Sequence, residues 1–160
     1  PMAVKWKMAS SATTVISLAA SLANGGNTYS GHSGITQTAL DNSTDKYPHC
    51  KFVLNVPETF AAAPSAGAYF DIWMTEQDID GTSDETPVPG ATDIADLARY
   101  VGTIRVDNQD VAQLKPLVVH NILAGVSSAL FYVRNATGQA TTYSSTPLTL
   151  KAQPFTYEDA

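Results

Sequence analysis

The sequence predicts an all-β fold, a single-domain sandwich of two antiparallel sheets with about eight strands. Three observations lead there. Short runs rich in Val, Ile, Tyr, Phe and Thr recur along the 160 residues, bounded by Gly, Pro, Asn or Asp. Helical periodicity is scarce, and several runs alternate apolar with polar residues, as a strand with one buried and one wet face must.

In chain order the runs are Val4–Met8, Thr13–Leu18, Ile35–Leu40, Tyr47–Val56, Ala68–Thr75, Arg99–Val106, a weaker one within Leu114–Ile122, and Leu130–Arg134 with Leu148–Ala152 as a final pair. In Tyr47–Val56 the alternation puts Cys50, Phe52, Leu54 and Val56 on the core face and His49, Lys51 and Asn55 on the other. The same reasoning turns Phe70, Ile72, Met74, Leu148 and Leu150 inward, and Asp71, Thr75, Thr149 and Lys151 outward. Only "GATDIADLARYVG" reads as helical, one or two turns capped by Thr92 or Asp93 with Ile94, Leu97, Ala98 and Val101 at helical spacing. The connection from Glu76 to Pro89 is long, acidic and ends in "TPVPG", which reads as a surface loop. No internal repeat is present, so a propeller or solenoid is disfavoured. The expected form is jelly-roll-like, with an immunoglobulin-like sandwich as the alternative.

Composition narrows the function. The chain is 44% apolar but only 15% charged, with a net charge of -6. Nothing there attracts phosphate backbones or anionic lipid, so neither nucleic acid nor membrane is an expected partner. Ten of the fifteen acids fall between Asp71 and Asp110. The segment Leu117–Val133 is uncharged, yet it is too short and too interrupted by His120, Asn121, Gly125, Ser127 and Ser128 to span a membrane as a helix. The lone Cys50 forms no internal disulfide and reads as a small core residue. "MASSATTVISLAASLA" after Lys5 and Lys7 imitates a signal sequence, but Ser and Thr dilute its apolar run, and it is expected to remain as structure.

Candidate chemistry fares poorly against simpler readings. Glu76, Asp78, Asp80 and Gly81 occupy positions one, three, five and six of a calcium loop, but the closing position is Pro87, which offers no carboxylate. His32, His49 and His120 lack zinc-site spacing. His49 and Cys50 point to opposite faces of a strand and form no thiol–imidazole pair. "GHSG" at Gly31–Gly34 is one residue short of a nucleophile elbow. No carboxylate pair is singled out for glycosidic chemistry, so no catalytic residue, metal ligand or cofactor is expected and the chain is read as non-enzymatic. Asn42-Ser-Thr and Asn135-Ala-Thr are formal glycosylation sequons, a cheap match in a chain rich in these residues. Tyr29, Tyr143, Tyr157 and Trp6 are aromatics outside the inferred core that could dock sugar or protein.

The segment "ALDNSTDKY" at Ala39–Tyr47 is a corner: Asp41 and Asn42 form side-chain-to-backbone turns, Ser43 and Thr44 do so more weakly, and Tyr47 begins the next strand. Together with "ASLANG" at Ala20–Gly25, the valine/leucine strand after Tyr47, and "FYVRNATGQA" at Phe131–Ala140, which is similar to a closing hairpin, it resembles a family of small virion structural proteins of tailed bacteriophages. The resemblance runs in order along about the whole chain, and it rests on turn signatures. It implies a β-sandwich without enzymatic activity, a head decoration or cement protein that binds the outer surface of the assembled capsid and bridges copies of the major capsid protein. Pro1 and the lack of a convincing signal fit synthesis in the host cytoplasm.

For that role the termini are expected to be arms: Pro1–Lys7, "PMAVKWK", is basic, and Gln153–Ala160, "QPFTYEDA", ends acidic, so copies of the chain could pair through them as a homo-oligomer. Lys5, Trp6, Lys7, Phe155 and Tyr157 are the candidate partner-binding residues. The alternative is a tail or baseplate module whose loops and tyrosines bind host polysaccharide, since a sandwich serves either task.

Because the acidic loop lacks its closing ligand, replacing Asp78 and Asp80 together by Ala should leave the melting temperature nearly unchanged, with or without calcium. A large calcium-dependent rise in the wild type that this pair abolishes would contradict the reading.

Overall fold

The computed structural model describes residues 3–77 and 85–159. Within them the chain forms β1 (Val4–Met8), β2 (Thr13–Leu18), β3 (Ile35–Gln37), β4 (Leu40–Asp41), β5 (His49–Val56), β6 (Tyr69–Glu76), α1 (Ile94–Leu97), β7 (Arg99–Arg105), β8 (Gln113–Val119), β9 (Ser128–Ala136) and β10 (Leu148–Asp159). The run expected as one strand over Ile35–Leu40 is split: β3 adds to one sheet and β4 to the other. The helix is a single turn. Asp93 stands at its N-cap position without a side-chain cap bond, and Ala98 is already extended before β7.

The pairing is nested from the ends inward. β2 pairs with β10, β4 with β9, β5 with β8 and β6 with β7, all antiparallel. Alternate pairs fall in opposite sheets, joined by β10–β5 in one and β6–β9 in the other. The result is a six-stranded sheet of order β3-β2-β10-β5-β8 with β1 also on β10, and a four-stranded sheet of order β4-β9-β6-β7. A long hairpin rolled in this way has jelly-roll connectivity. β9 and β10, expected as a closing hairpin, lie in opposite sheets and do not pair. The turn motif between them spans the sandwich.

The inward sets are those the alternation gives. Phe52 and Leu54 of β5, Phe70, Ile72 and Met74 of β6, and Leu148 and Leu150 of β10 are buried in one cluster. Phe52 meets Phe131 of β9 edge to face across the sheets, with ring centroids 5.1 Å apart. Each such side chain contributes roughly 1.5–3 kcal/mol by leaving water. Cys50 is fully buried among them, and burial pushes its thiol up to about 12.

Both quoted turn motifs are corners built on a buried asparagine. Asn42 donates from Nδ2 to the carbonyls of Tyr47 (2.9 Å) and Val126 (3.0 Å) and accepts the Tyr47 N–H at 3.0 Å. Asp41 accepts the N–H and the hydroxyl of Ser43, which hold its carboxyl below the usual range. Asn135 in turn donates to the carbonyls of Leu22 and Gln139. Because Asn42 and Asn135 are buried with their amides engaged, the two sequons are packing elements of the folded chain and no glycan fits there. "GHSG" also has a structural account: Gly34 has φ +76° and a Cβ there would meet the Ala19 carbonyl oxygen at 2.5 Å. Before β10, Glu58 accepts the N–H groups of Ser144, Ser145 and Thr146 at 2.7–2.9 Å, which draws its carboxyl down to about 2.

The outer faces of the two sheets differ. On the four-stranded sheet, Tyr132 is fully buried beneath Val88 and Ile94, and its hydroxyl accepts the Val88 N–H and pairs with Thr75. The far part of the connection expected as a surface loop is thus a cover for that face. Residues 78–84, which hold most of the candidate calcium loop, lie outside the described residues. Its first position, Glu76, ion-pairs with Arg99 at 2.9 Å.

The termini, expected as separate arms, pair with each other. β1 runs antiparallel to the end of β10, from Val4 opposite Asp159 to Met8 opposite Phe155. Gln153–Phe155 also pair with Lys51–His49 of β5, so this part of the expected arm belongs to the sheet. What projects is a two-stranded ribbon.

Replacing Phe52 by Ala should cost about 3–5 kcal/mol and Ile72 by Ala about 2–5, through the cavity each leaves, whereas Asn55→Ala on the outer face should stay within about 0.5 kcal/mol. Urea unfolding of the three variants checks the order.

Candidate functional site

The outer face of the six-stranded sheet is the contrasting one. Strand parity brings Val4, Trp6 and Met8 of β1, Phe155 and Tyr157 of β10, His49 of β5, and Leu114 and Val118 of β8 to this side. Val4, Trp6, Met8, Leu114, Val118 and Tyr157 all belong to the exposed large apolar residues of the chain. A patch of this kind is a common mark of a docking surface.

Its projecting end is an aromatic cluster. Trp6 lies opposite Tyr157 in the ladder and stacks on Phe155, with centroids 5.0 Å apart and planes 17° from parallel. Tyr157 meets Trp6 edge-on at 5.5 Å. Beneath them His49 and His120 stand edge to face at 5.0 Å, and both contact Phe155. Phe155 is fully buried by this cover although it points away from the sandwich core, whereas Trp6 keeps 53% of its surface exposed. Phe155 therefore supports Trp6 from below and offers a partner no surface of its own.

Hydrogen bonds fix the cluster. The Asn121 N–H donates to His49 Nδ1 at 2.9 Å, which requires that nitrogen to be proton-free, and Asn121 adopts φ +58° to do so. His120 Nε2 and the Tyr157 hydroxyl lie 3.1 Å apart. Loss of water, and then the neighbouring His120, lower the pKa of His49 from its ordinary 6.5. Lys5 and Lys7 occupy the opposite face of the ribbon, 3.5 and 3.7 Å from the Glu158 carboxylate. Such exposed pairs contribute about 0–1 kcal/mol each.

Of the five sequence-derived candidates, then, Trp6 and Tyr157 share one exposed face, Phe155 lies beneath it, and Lys5 and Lys7 stand behind it. Tyr29 packs against the cover of the other sheet, and Tyr143 is exposed in the turn before β10. The two histidines were not legible as a pair. They are 71 residues apart (120 minus 49), and meet because the β5–β8 ladder pairs Cys50 with Val119, so that its next step sets His49 opposite His120. Among the described residues no three His, Cys, Asp or Glu side chains group as metal ligands, and no helix is long and apolar enough to cross a membrane.

Beside the ribbon a groove of about 550 Å³ crosses the same face, from Met8 and Ala12 over β10 and β5 to Leu114. Lys51, Lys151 and Asn55 line it. No sequence spacing marks it, because its walls come from five separate segments.

The lowered pKa of His49 has a consequence for stability. The unfolded chain takes up the proton near 6.5 and the folded chain only at lower pH, so the contribution of neutral His49 is whole above 6.5 and is lost as pH falls from there through the lowered value. An NMR titration should find His49 titrating below 6.5 and shifting upward in His120→Gln, which removes the second imidazole charge. A value above 6.5 in the wild type would contradict this account.

Neither a protein-family model nor a curated protein matches this sequence.

Proposed function

We propose that this chain is a non-enzymatic structural protein of a phage virion, a decoration or cement protein that binds the outer surface of the assembled head and bridges major capsid subunits. The observation that carries the reading is the ribbon. It extends past the ends of β5 and β2, holds a half-exposed Trp6 flat on a buried Phe155, and places Tyr157, Val4 and Met8 beside it. Aromatic residues and Met are enriched where proteins meet, and a side chain already fixed in place loses little entropy on docking.

The jelly-roll connectivity and the corners at Asn42 and Asn135 support the resemblance to small virion proteins, although a fold by itself selects no function. A cement role requires a stable body and a projecting contact. Seated on a symmetric shell, many copies engage at once, and weak contacts add to strong attachment. A protein that binds the assembled shell and not its loose subunits raises the shell's apparent stability by mass action. The partners in this proposal are the major capsid protein and further copies of the chain, at the outer capsid surface.

The test is to mix the purified protein with heads lacking it and with isolated tails, sediment each, and heat the bound particles. The protein should sediment with heads and raise their rupture temperature. Trp6→Ala combined with Tyr157→Ala should remove most of the attachment while the variant's own unfolding stays cooperative. Binding only to tails, or binding to heads with no change in rupture temperature, would overturn the cement reading in favour of a tail module.

A further inference from the structure

The groove on the outer face of the six-stranded sheet differs in chemistry from the ribbon. It crosses the strands, spanning from the β1–β2 connection to β8 three interstrand spacings, or about 14 Å. Met8, Val53 and Leu114 give it an apolar lining, while Lys51, Lys151 and Asn55 bring polar groups to it. Among the described residues none of those three polar side chains has a hydrogen-bond or ion-pair partner. Gln153, also in the lining, is fixed by its amide nitrogen, which donates to the Ala9 carbonyl at 2.8 Å and leaves its oxygen as an acceptor.

Charge and backbone geometry select the occupant. Two ammonium groups line the groove and no carboxylate does, in a chain whose net charge is -6. The charge lining the groove is therefore opposite in sign to the net charge of the chain, and it fits an anion. The floor strands β10 and β5 are hydrogen-bonded on both sides, so an extended peptide cannot add here as a further strand and its amides would go unmatched. A ligand that carries its own hydroxyls and carboxylates is matched by ammonium and amide side chains, with its C–H surfaces on the apolar lining.

We propose that this groove binds an acidic oligosaccharide, with Lys51 and Lys151 pairing to its carboxylates and Asn55 and Gln153 to its hydroxyls. The site does not depend on attachment to a capsid, so its failure and that of the cement reading are separable.

The experiment is an NMR titration of the isotope-labelled protein with tetrasaccharides of galacturonate, mannuronate and hyaluronan, with neutral maltotetraose as control. At least one acidic tetrasaccharide should shift the amides of Val53, Asn55, Lys151 and Leu114 with a Kd on the order of 1 mM. Raising the salt should weaken that binding. Lys51→Ala with Lys151→Ala should weaken it by about tenfold or more at an unchanged melting temperature, since both side chains face solvent. The salt series and the neutral control test the charge dependence in the wild type, without need of the variant. The proposal is overturned if no acidic tetrasaccharide shifts these amides, if maltotetraose binds as well, or if the peptide Asp-Leu-Glu-Leu-Asp binds there more tightly than every saccharide, which would make the groove a protein-docking surface.

Discussion

The structure depends on β10, whose 12 residues form the spine of the larger sheet. On one side β10 pairs with β5 from Thr149 to Phe155. On the other it takes β2 and then β1, which follow each other along the same edge with the Ala9–Ala12 connection between them. Pro154 sits within this strand without an N–H to give. Its carbonyl accepts the Ala9 N–H, and in an antiparallel strand the missing donor would point to that same side, where the β1–β2 edge is already irregular. The proline thus costs the ladder little where it stands, and the pairing with β5 continues past it. That continuity turns Leu148, Leu150 and Ala152 into the sandwich and sets Phe155 and Tyr157 on the opposite face.

That change of face explains what was legible in the sequence. Where one face is core, alternation writes it directly, and the inward sets of β5 and β6 follow from the period of two. The run over Ile35–Leu40 looks continuous because β3 and β4 are both extended. Nothing local reveals that the chain passes from one sheet to the other between them. The end of β10 was misleading for a related reason. "QPFTYEDA" has a proline and a charged tail, features of an exposed arm, while the burial of Phe155 comes from Trp6, His49 and His120, which are distant in sequence and reach it only through strand register. Corners were easier, because Asx turns are local chemistry: Asp41 binds Ser43 two residues on, and Asn42 binds Tyr47 five residues on.

The aromatic cluster also shows how a short ribbon keeps its shape outside the core. Two strands alone are marginal in water, and five residue pairs with two exposed ion pairs would not hold them. Phe155 supplies what is missing, a small apolar centre covered by Trp6 above and the imidazoles below. The imidazoles hold their places because Asn121 donates to one and Tyr157 pairs with the other. Ribbon geometry is in this way coupled to the turn after β8, although 35 residues separate Asn121 from Thr156 (156 minus 121).

The two outer faces of the sandwich make opposite use of the same chemistry. On the four-stranded sheet the chain covers Tyr132 with its own segment around Val88 and Ile94, against which Trp73 is partly buried, and this removes Tyr132 from solvent and gives its hydroxyl its partners. On the six-stranded sheet Val4, Trp6, Met8, Leu114, Val118 and Tyr157 stay exposed, where each buriable 100 Å² forgoes roughly 2.5 kcal/mol. The chain covers the middle of the four-stranded sheet with a separate segment and leaves most of the apolar residues on the other outer face exposed. This face carries an aromatic tip at the ribbon and, across the strands, a groove in which Lys51 and Lys151 stand among apolar residues. The lysines set the groove apart from the tip: apolar and aromatic contact falls little with salt, whereas attraction to the lysines is screened within about 10 Å at moderate ionic strength. On the two proposals above, one sheet face serves two modes of attachment, at the ribbon and across the strands, with Met8 at their border.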